Sequence, residues 1–213
     1  MELRFDHVVI AARTLGEGVN WVERRLGVTV ASGGKHDVMG THNRLLSLGP
    51  GRFLEVISID PEAPQPLQPR WFELDTPAMK ERLAKGPALI HWVARSDDIE
   101  AALDAVGGPR PEVLALSRGA FRWKIGVPAD GHLEQGGVQP TVIQWFGQHP
   151  ADVLPDSGCR LDSMVLHHAD ASAIVHRLRY AGLSAEDPVR PSHEGVGLEV
   201  RIHAPRGLVE IRE

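Results

Sequence analysis

The fold is decided by the segment DHVVI at residues 6–10 and by the segment FLEVI at residues 53–57. Both are apolar, β-branched stretches typical of a buried strand, and both carry an ionisable side chain among apolar neighbours. The pattern returns as IHWV at residues 90–93 and VIQW at residues 142–145. In each case a helix-like stretch and further strands separate the two members of the pair. This repetition predicts a duplicated module.

The loops of the sequence divide it into modules and connections. The first module spans residues 1–60, and a Pro-rich linker with a short helix spans residues 61–87. The second module spans residues 88–147, a loop spans residues 148–158, and a shorter C-terminal unit of β-α-β-β order spans residues 159–213. We expect an α+β fold in which repeated β-α-β-β-β modules form paired, curved, mixed sheets around a cup.

Local patterns set the elements of the first module. Thr14 and Glu17 have the spacing of a helix N-terminal capping box, and Gly27 is a suitable residue to end that helix. The sequence then predicts a strand at residues 28–31 and a Gly-containing loop at residues 32–37. A hairpin is expected to follow, with strands at residues 41–48 and 52–59.

Composition narrows the classes of function. The formal net charge is −5 and no basic block is present, which argues against nucleic-acid or membrane-surface binding. No apolar run approaches the roughly 18 residues of a membrane helix. Cys159 is the only cysteine, and the charged N-terminal residues do not fit a signal peptide. These features predict a cytoplasmic protein whose partner is a small molecule.

Strand alternation predicts where the polar residues of the repeat meet. If a helix covers one face of a curved sheet, His7 and Glu55 can both point into the cup on the other face, and His91 and Gln144 repeat this arrangement. Two imidazoles and one carboxylate suit Fe(II), and also Mn, Ni, Co or Zn. A divalent metal held by these residues is therefore one interpretation. A metal-free cup that uses the same residues to bind a ligand is the other.

Two further strands suggest contacts with a substrate. In the strand at residues 121–127, one interpretation packs the apolar side chains under the helix, so that Arg122 and Lys124 face the cup and hold an anionic group. The alternative is that Arg122 and Lys124 lie on a solvent-exposed strand face. In the strand at residues 41–48, Asn43 is expected to face the cup as a hydrogen-bond donor. His42 points away unless the strand register slips by one residue, in which case it could carry protons.

The chain resembles the vicinal oxygen chelate superfamily, the group of glyoxalases, extradiol dioxygenases and fosfomycin- or bleomycin-resistance proteins, and within it the glyoxalase-like domain branch. The likeness rests on the order and spacing of six segments and extends into GCRL at residues 158–161. The six are LRFDHVVIAAR at 3–13, GTHNRLLSLG at 40–49, FLEVI at 53–57, IHWVAR at 90–95, FRWKIGVP at 121–128 and PTVIQW at 140–145.

The resemblance implies paired modules around a metal cup, with His7, Glu55, His91 and Gln144 at the ligand positions. It also implies a metal that chelates vicinal oxygens of the substrate and stabilises an enolate or oxyanion. The chain departs from the glyoxalase I pattern at Gln144, because an amide cannot take the proton that this isomerisation moves.

The sequence therefore predicts a metal-dependent lyase, dioxygenase or isomerase that acts on a small, oxygenated, anionic metabolite. The alternative is a metal-free protein that binds or sequesters a small molecule in the same cup. The C-terminal unit leaves three arrangements open. It could pair with the first module and move the site to His7, Glu55, Ser163 and Glu210, it could cap a sheet edge, or it could build a homodimer.

Overall fold

The computed structural model describes residues 1–212, and its first module has the predicted β-α-β-β-β order. Its elements are β1 (Leu3–Ala11), α1 (Leu15–Leu26), β2 (Ala31–His36), β3 (Thr41–Ser47) and β4 (Phe53–Ile59). Thr14 caps α1 by accepting a hydrogen bond from the Glu17 backbone N–H, and Gly27 ends the helix in the left-handed conformation. Both capping predictions are confirmed.

The second module follows a linker that contains α2 (Pro77–Ala84). It repeats the order of the first module with β5 (Ala88–Ser96), α3 (Ile99–Val106), β6 (Glu112–Arg118), β7 (Phe121–Val127) and β8 (Thr141–Phe146). No helix within residues 1–212 has the length and apolar character that a membrane crossing requires.

The two modules join into one eight-stranded sheet in the order β2-β3-β4-β1-β5-β8-β7-β6. In each module the first strand pairs in parallel with the last, as β1 does with β4 and β5 with β8. The two first strands, β1 and β5, pair antiparallel and join the halves. The sheet is mixed and curled, and the prediction of duplicated modules around a cup is confirmed.

The C-terminal unit builds a separate four-stranded sheet. Its elements, after the short helix α4 (Pro150–Val153), are β9 (Arg160–His167), α5 (Ala171–Tyr180), β10 (Val189–Ser192), β11 (Gly197–Ala204) and β12 (Gly207–Arg212), with the strand order β10-β9-β11-β12. The sequence did not predict β10, whose Pro191 lies on an edge strand where a missing N–H is tolerated.

This unit packs on the outer face of the main sheet. Met164 and Val200 from its sheet share one buried core with Phe5 and Trp92, whose rings stack 6.1 Å apart. It does not pair with the first module in place of the second. Ser163 hydrogen-bonds Asp162 and Glu210 forms an ion pair with Arg201, all on the smaller sheet, so the alternative site with these two residues is not formed.

Residues 28–37 differ from the prediction, because β2 covers residues 31–36, most of which were expected to form a loop, whereas residues 28–30 of the predicted strand lie outside any strand. A Cβ atom on Gly33 would lie 2.2 Å from the backbone oxygen of Asn43. The glycine therefore allows β2 to approach β3 closely, and the pairing of the two strands shifts register between Ser32 and Lys35.

Candidate functional site

A cavity lies on the inner face of the main sheet, away from α1 and α3. Including the part open to solvent, it contains about 440 Å³ of empty space. Both modules and the linker contribute to its wall, which combines polar side chains with many aromatic rings. The lining residues are His7, His36, Asn43, Leu45, Phe53, Glu55, Trp71, Phe72, Arg118, Trp123, Ile125, Ile143, Trp145 and Pro150.

An irregularity in β1 brings His7 to this cavity. The pairing of β1 with β5 shifts register between Phe5 and His7. Phe5 packs into the outer core, whereas His7 lines the inner cavity although it lies two residues further along the strand. Strict alternation would have placed both side chains on one face, so the extra residue at Asp6 redirects His7 inward.

The side chain of Asp6 is fully buried and organises the residues behind the cavity. One of its oxygens lies 2.6 Å from His7 Nδ1, and the other lies 2.9 Å from His149 Nε2 and accepts from Trp145 Nε1 at 3.2 Å. Arg95 is also in contact with this oxygen, at 3.5 Å. Asp6 therefore collects donors from β1, β5, β8 and the segment before α4.

The hydrogen bonds to Asp6 keep its carboxyl ionised. Burial would raise the pKa of Asp6, but the hydrogen bonds from His149 and His7 outweigh burial and hold this pKa below its usual value. A carboxylate can only accept, so His7 must carry its proton on Nδ1 when it is neutral. The Nε2 lone pair of His7 is then directed away from Asp6, toward Glu55.

Glu55 lies opposite His7 at the base of the cavity. Glu55 Oε1 accepts a hydrogen bond from Asn43 Nδ2 at 2.6 Å, and Oε2 lies 3.7 Å from His7 Nε2. The longer distance exceeds that of a direct hydrogen bond. The carboxylate therefore has one firm donor and one oxygen that faces the imidazole without bonding to it.

Asn43 links Glu55 to the one arginine of the cavity wall. Its Oδ1 accepts from the Gly34 backbone N–H at 2.9 Å and from an Arg118 guanidinium nitrogen at 3.1 Å. Burial lowers the pKa of Arg118 from its usual value, and the negative charge of Glu55 acts in the opposite direction. Arg118 stays charged at neutral pH, because arginine pKa values in proteins lie far above this range.

His36 is a neutral part of the same wall. Burial lowers the pKa of His36 to about 3, with a further contribution from the positive charge of Arg118. Its Nε2 lies 3.2 Å from the Arg118 guanidinium and its Nδ1 lies 3.1 Å from Thr41 Oγ1. The ring thus accepts from the arginine and donates to the threonine, which fixes both groups.

Aromatic rings form most of the remaining wall. Trp123 and Trp145 lie with their centroids 5.4 Å apart, and Trp71 stacks on Phe72 at 5.5 Å. Phe53 stacks on His7 at 4.3 Å. The indole N–H of Trp71 is buried without a hydrogen-bond partner. The cavity therefore offers flat apolar surfaces beside its charged groups.

His91 is buried on the inner side of the sheet but does not line the cavity. Both of its ring nitrogens form hydrogen bonds. Nδ1 donates to the Gly137 carbonyl at 3.0 Å, and Nε2 accepts from the Thr141 backbone N–H at 3.1 Å. Phe72 covers the ring, with centroids 5.3 Å apart. Burial lowers the pKa of His91 to about 3, so the ring is neutral and anchors the segment before β8.

Gln144 points to the opposite face of the sheet from the one expected. Thr141 pairs with Val93, so Ile143 and Trp145 face the cavity instead. The Gln144 amide donates to the Asp97 carbonyl at 2.5 Å and accepts from the Ile99 N–H at 3.3 Å. Its role is thus to hold the start of α3, and its expected position beside the other three residues is corrected.

The strand β7 shows the same reversal. Trp123 and Ile125 line the cavity, so Arg122 and Lys124 lie on the outer face. Arg122 donates to the Gly119 carbonyl at 2.7 Å, and Lys124 lies over the ring of Phe146 at 6.0 Å. The prediction that this pair faces the cup is wrong.

The two candidates on β3 lie as alternation predicts. Asn43 lines the cavity, and His42 points away from it. His42 Nε2 lies 2.7 Å from Ser58 Oγ and its Nδ1 lies 4.0 Å from Asp60. The register of β3 is therefore not slipped, and a proton-carrying role of His42 in the cavity has no structural basis.

The predicted set of metal ligands is only half assembled. His7 and Glu55 converge, whereas His91 and Gln144 use their donor atoms elsewhere. Within residues 1–212, no three His, Cys, Asp or Glu side chains are arranged to hold one metal ion. Arg118, which places a positive charge in the same wall, also disfavours a cation. These residues do not fit a resident divalent metal.

Sequence reasoning missed four residues of the site, namely Asp6, His36, Arg118 and His149. The sequence shows an Asp directly before His7, but it does not show the β-bulge at this Asp that allows the two side chains to hydrogen-bond each other. His36 and Arg118 lie at strand ends that come together only because β2 and β6 are the two edges of the curled sheet. His149 lies in a loop without a periodic pattern.

The comparisons with known proteins identify the family. A model of the glyoxalase-like domain family matches residues 5–182. The chain belongs to this family and, through it, to the vicinal oxygen chelate superfamily. No curated protein matches the sequence at a significant level.

Several solved structures align with the chain at low sequence identity. A hypothetical protein from Staphylococcus aureus aligns with a TM-score of 0.58 and 15% identity, covering 100% of this chain and 85% of that chain. Methylmalonyl-CoA epimerase from Mycobacterium tuberculosis aligns with a TM-score of 0.42 and 20% identity, covering 68% and 88%. A Streptomyces coelicolor methylmalonyl-CoA epimerase variant in complex with 2-nitronate-propionyl-CoA has a TM-score of 0.42 and 17% identity, covering 68% and 98%.

Proposed function

We propose that this protein is an enzyme that moves a proton on a small organic anion, with His7 as the base and without a metal. The observation that carries the proposal is the alignment of Asp6, His7 and Glu55 beside the cationic side chain of Arg118. Burying ionisable groups costs stability unless they are paired or hydrogen-bonded, and clusters of such groups in a cavity mark functional sites in many proteins.

In the proposed reaction, His7 takes the proton from the substrate. A substrate C–H next to a carbonyl gives its proton to His7 Nε2, and the electron pair of that bond moves onto the carbonyl oxygen as an enolate. Asp6 holds Nδ1–H of the ring at 2.6 Å, so the base keeps one orientation and one tautomer. A carboxylate behind an imidazole also stabilises the imidazolium that forms when the base is protonated.

Arg118 stabilises the negative charge of the substrate and of the enolate. Arg118 is held by Asn43 and His36, and it has no ion-pair partner within residues 1–212. Its guanidinium can therefore pair with a carboxylate or enolate oxygen of the substrate. His7 then returns the proton to a different carbon or oxygen of the same anion, so the C–H bond that breaks in the substrate is matched by the C–H or O–H bond that forms in the product.

Metal dependence, which the resemblance implied, is not part of this proposal. The reason is the engagement of His91 by Gly137 and Thr141 and the outward direction of Gln144. Gln144 lies outside the cavity, so its amide takes no part in the proposed proton transfer. An amide in place of a carboxylate at this position therefore does not argue against proton transfer by another residue. Proton transfer relies on His7 rather than on a last-strand carboxylate.

A second candidate is a metal-free protein that binds a small molecule without reaction. Two observations favour it: the wall is rich in aromatic rings, and Glu55 already has a hydrogen bond from Asn43 at 2.6 Å. A satisfied carboxylate is stable in the absence of a reaction. The same cavity, donors and charge would then select the ligand.

Hydrogen–deuterium exchange distinguishes the two candidates. Small carboxylates with a C–H next to a carbonyl are incubated with the protein in D₂O, and loss of the C–H signal is followed by NMR. We expect catalysed exchange with at least one compound, a loss of about 10²-fold or more in His7→Ala, and no change in His42→Ala. The His42 variant is the matched control, because His42 lies outside the cavity.

Two results would count against the proposed reaction. One is saturable binding of compounds with no exchange in any of them, which would favour the binding protein. The other is exchange that His7→Ala retains in full while its circular dichroism spectrum and melting temperature match those of the unchanged protein.

A further inference from the structure

A larger cleft adjoins the cavity and shares three of its lining residues. Including its open part, it contains about 1260 Å³ of empty space. Its walls are β2, the turn between β6 and β7, and the segment from α4 to Pro155. Leu45, Arg118 and Pro150 line both spaces, so a molecule bound at Arg118 can extend from the cavity into the cleft.

The cleft is lined mainly by apolar side chains and glycine backbone. Phe121, Val153, Leu154 and Pro155 contribute the apolar surface, and Val153 is 51% exposed. An apolar side chain left half-exposed in a concave site next to a binding cavity indicates a place for apolar ligand atoms.

The charges in the cleft do not suit a phosphorylated ligand. Lys35 is in contact with Asp60 at 2.8 Å and with Glu62 at 2.9 Å, so two carboxylates neutralise it. Asp37 adds a negative charge to the same wall. Among the residues that line the cleft, Arg118 is the only cation without an ion-pair partner, and it lies at the junction with the cavity.

We propose that the substrate is an amphipathic organic anion, whose charged head lies at Arg118 and whose uncharged apolar tail lies in this cleft. The inference rests on the proposed function and names its substrate class. The cavity receives the reacting group, and the cleft receives a chain or ring that carries no phosphate. A nucleotide-bearing carrier does not fit, because Arg118 pairs with the charged head and the lining of the cleft offers no second unpaired cation for the phosphates.

Binding of a homologous series tests the tail. Straight-chain monocarboxylates from butanoate to dodecanoate are titrated into the protein by isothermal calorimetry. Each methylene buried in the cleft is expected to lower Kd about three- to fourfold until the cleft is full. In Val153→Asp the dependence on chain length is expected to disappear. Val196→Asp, on the C-terminal unit, is the control, because Val196 is 73% exposed and far from the cleft walls.

Three results would overturn the inference. They are a Kd that does not change with chain length, the same dependence in Val153→Asp as in the unchanged protein, and a coenzyme A ester that binds more tightly than the free acid of equal chain length. These saturated acids need no reaction to bind, so a chain-length effect without deuterium exchange would refute the proton transfer alone. Deuterium exchange at the substrate without a chain-length effect would refute only the binding of an apolar tail in the cleft.

Discussion

Replacement of Asp6 by asparagine separates the charge of this residue from its shape. The carboxylate accepts from His7 on one oxygen and from His149 and Trp145 on the other. An amide has only one acceptor oxygen, so its NH₂ group must face a donor on one side. At least one buried donor loses its partner, and this costs about 1–3 kcal/mol for a neutral group and more for a charge-assisted bond. We expect Asp6→Asn to lower the free energy of unfolding by about 3 kcal/mol at neutral pH.

The same variant has a predictable dependence on pH. Because the pKa of Asp6 is lower in the folded protein than its ordinary value of 3.8, the unfolded chain takes up the proton first as the pH falls. The contribution of Asp6 to stability is therefore complete above pH 3.8 and is lost progressively below it. Asp6→Asn lacks this group, so the difference in stability between the two proteins should shrink in acid.

Urea unfolding followed by tryptophan fluorescence, at neutral pH and in the acid range, measures both effects. The deuterium exchange assay adds the functional effect, since an amide no longer fixes His7 with its proton on Nδ1, and we expect a loss of about 10²-fold or more. Equal stability of the two proteins at neutral pH, or an unchanged exchange rate in the variant, would refute this account of Asp6.

The remaining predictions concern the cavity wall. Trp71→Phe removes a buried N–H without a partner, so the free energy of unfolding should be unchanged or higher. Trp92→Phe, whose N–H bonds a backbone carbonyl at 2.8 Å, should instead cost about 1–3 kcal/mol in urea unfolding. Gly33→Ala should cost about 1–3 kcal/mol and weaken ligand binding, because its Cβ would lie 2.2 Å from the Asn43 oxygen; a normal melting temperature would contradict this. Arg118→Met should weaken carboxylate binding at least tenfold by calorimetry while neutral analogues of the same shape bind as before; equal losses for both would contradict a role in charge recognition.

The sequence predicted the architecture because both modules repeat a strong pattern. Each opening strand is apolar and β-branched, and each closing strand follows a hairpin with turn residues. The convergence of His7 and Glu55 was predictable for the same reason, since they lie on the first and last strands of one module and these strands pair in parallel. The cytoplasmic location and a homodimer stay predictions.

The second half of the site was not predictable from alternation. In β7 the apolar residues Trp123 and Ile125 alternate with Arg122, which is exposed, and Lys124, which is partly buried. This alternation separates the two faces, but it does not show whether the apolar face packs under the helix or lines the cavity. The structure places Trp123 and Trp145 at the cavity, so an aromatic cavity wall produced the pattern that a helix-covered face would also give.

The bulge at Asp6 is a second limit on prediction. Alternation over residues 6–10 alone gives the right face for His7, but it places Asp6 on the opposite face and hides the partnership between Asp6 and His7. A register shift depends on the pairing with β5, more than eighty residues away in the sequence, and no local signal marks it. His36 and Arg118 were missed for a related reason, because they meet only when the sheet curls.

The proposed reaction requires that His7 take a proton from the substrate in the cavity without a metal. The most direct measurement is the rate at which the protein catalyses deuterium exchange at the substrate C–H after treatment with chelator. Metal content is checked by mass spectrometry, and His7→Ala is measured in parallel. We expect the treated protein to keep its full rate and the variant to lose it. A treated protein that is inactive, and that one divalent metal restores, would contradict the claim and return the site to metal-dependent chemistry.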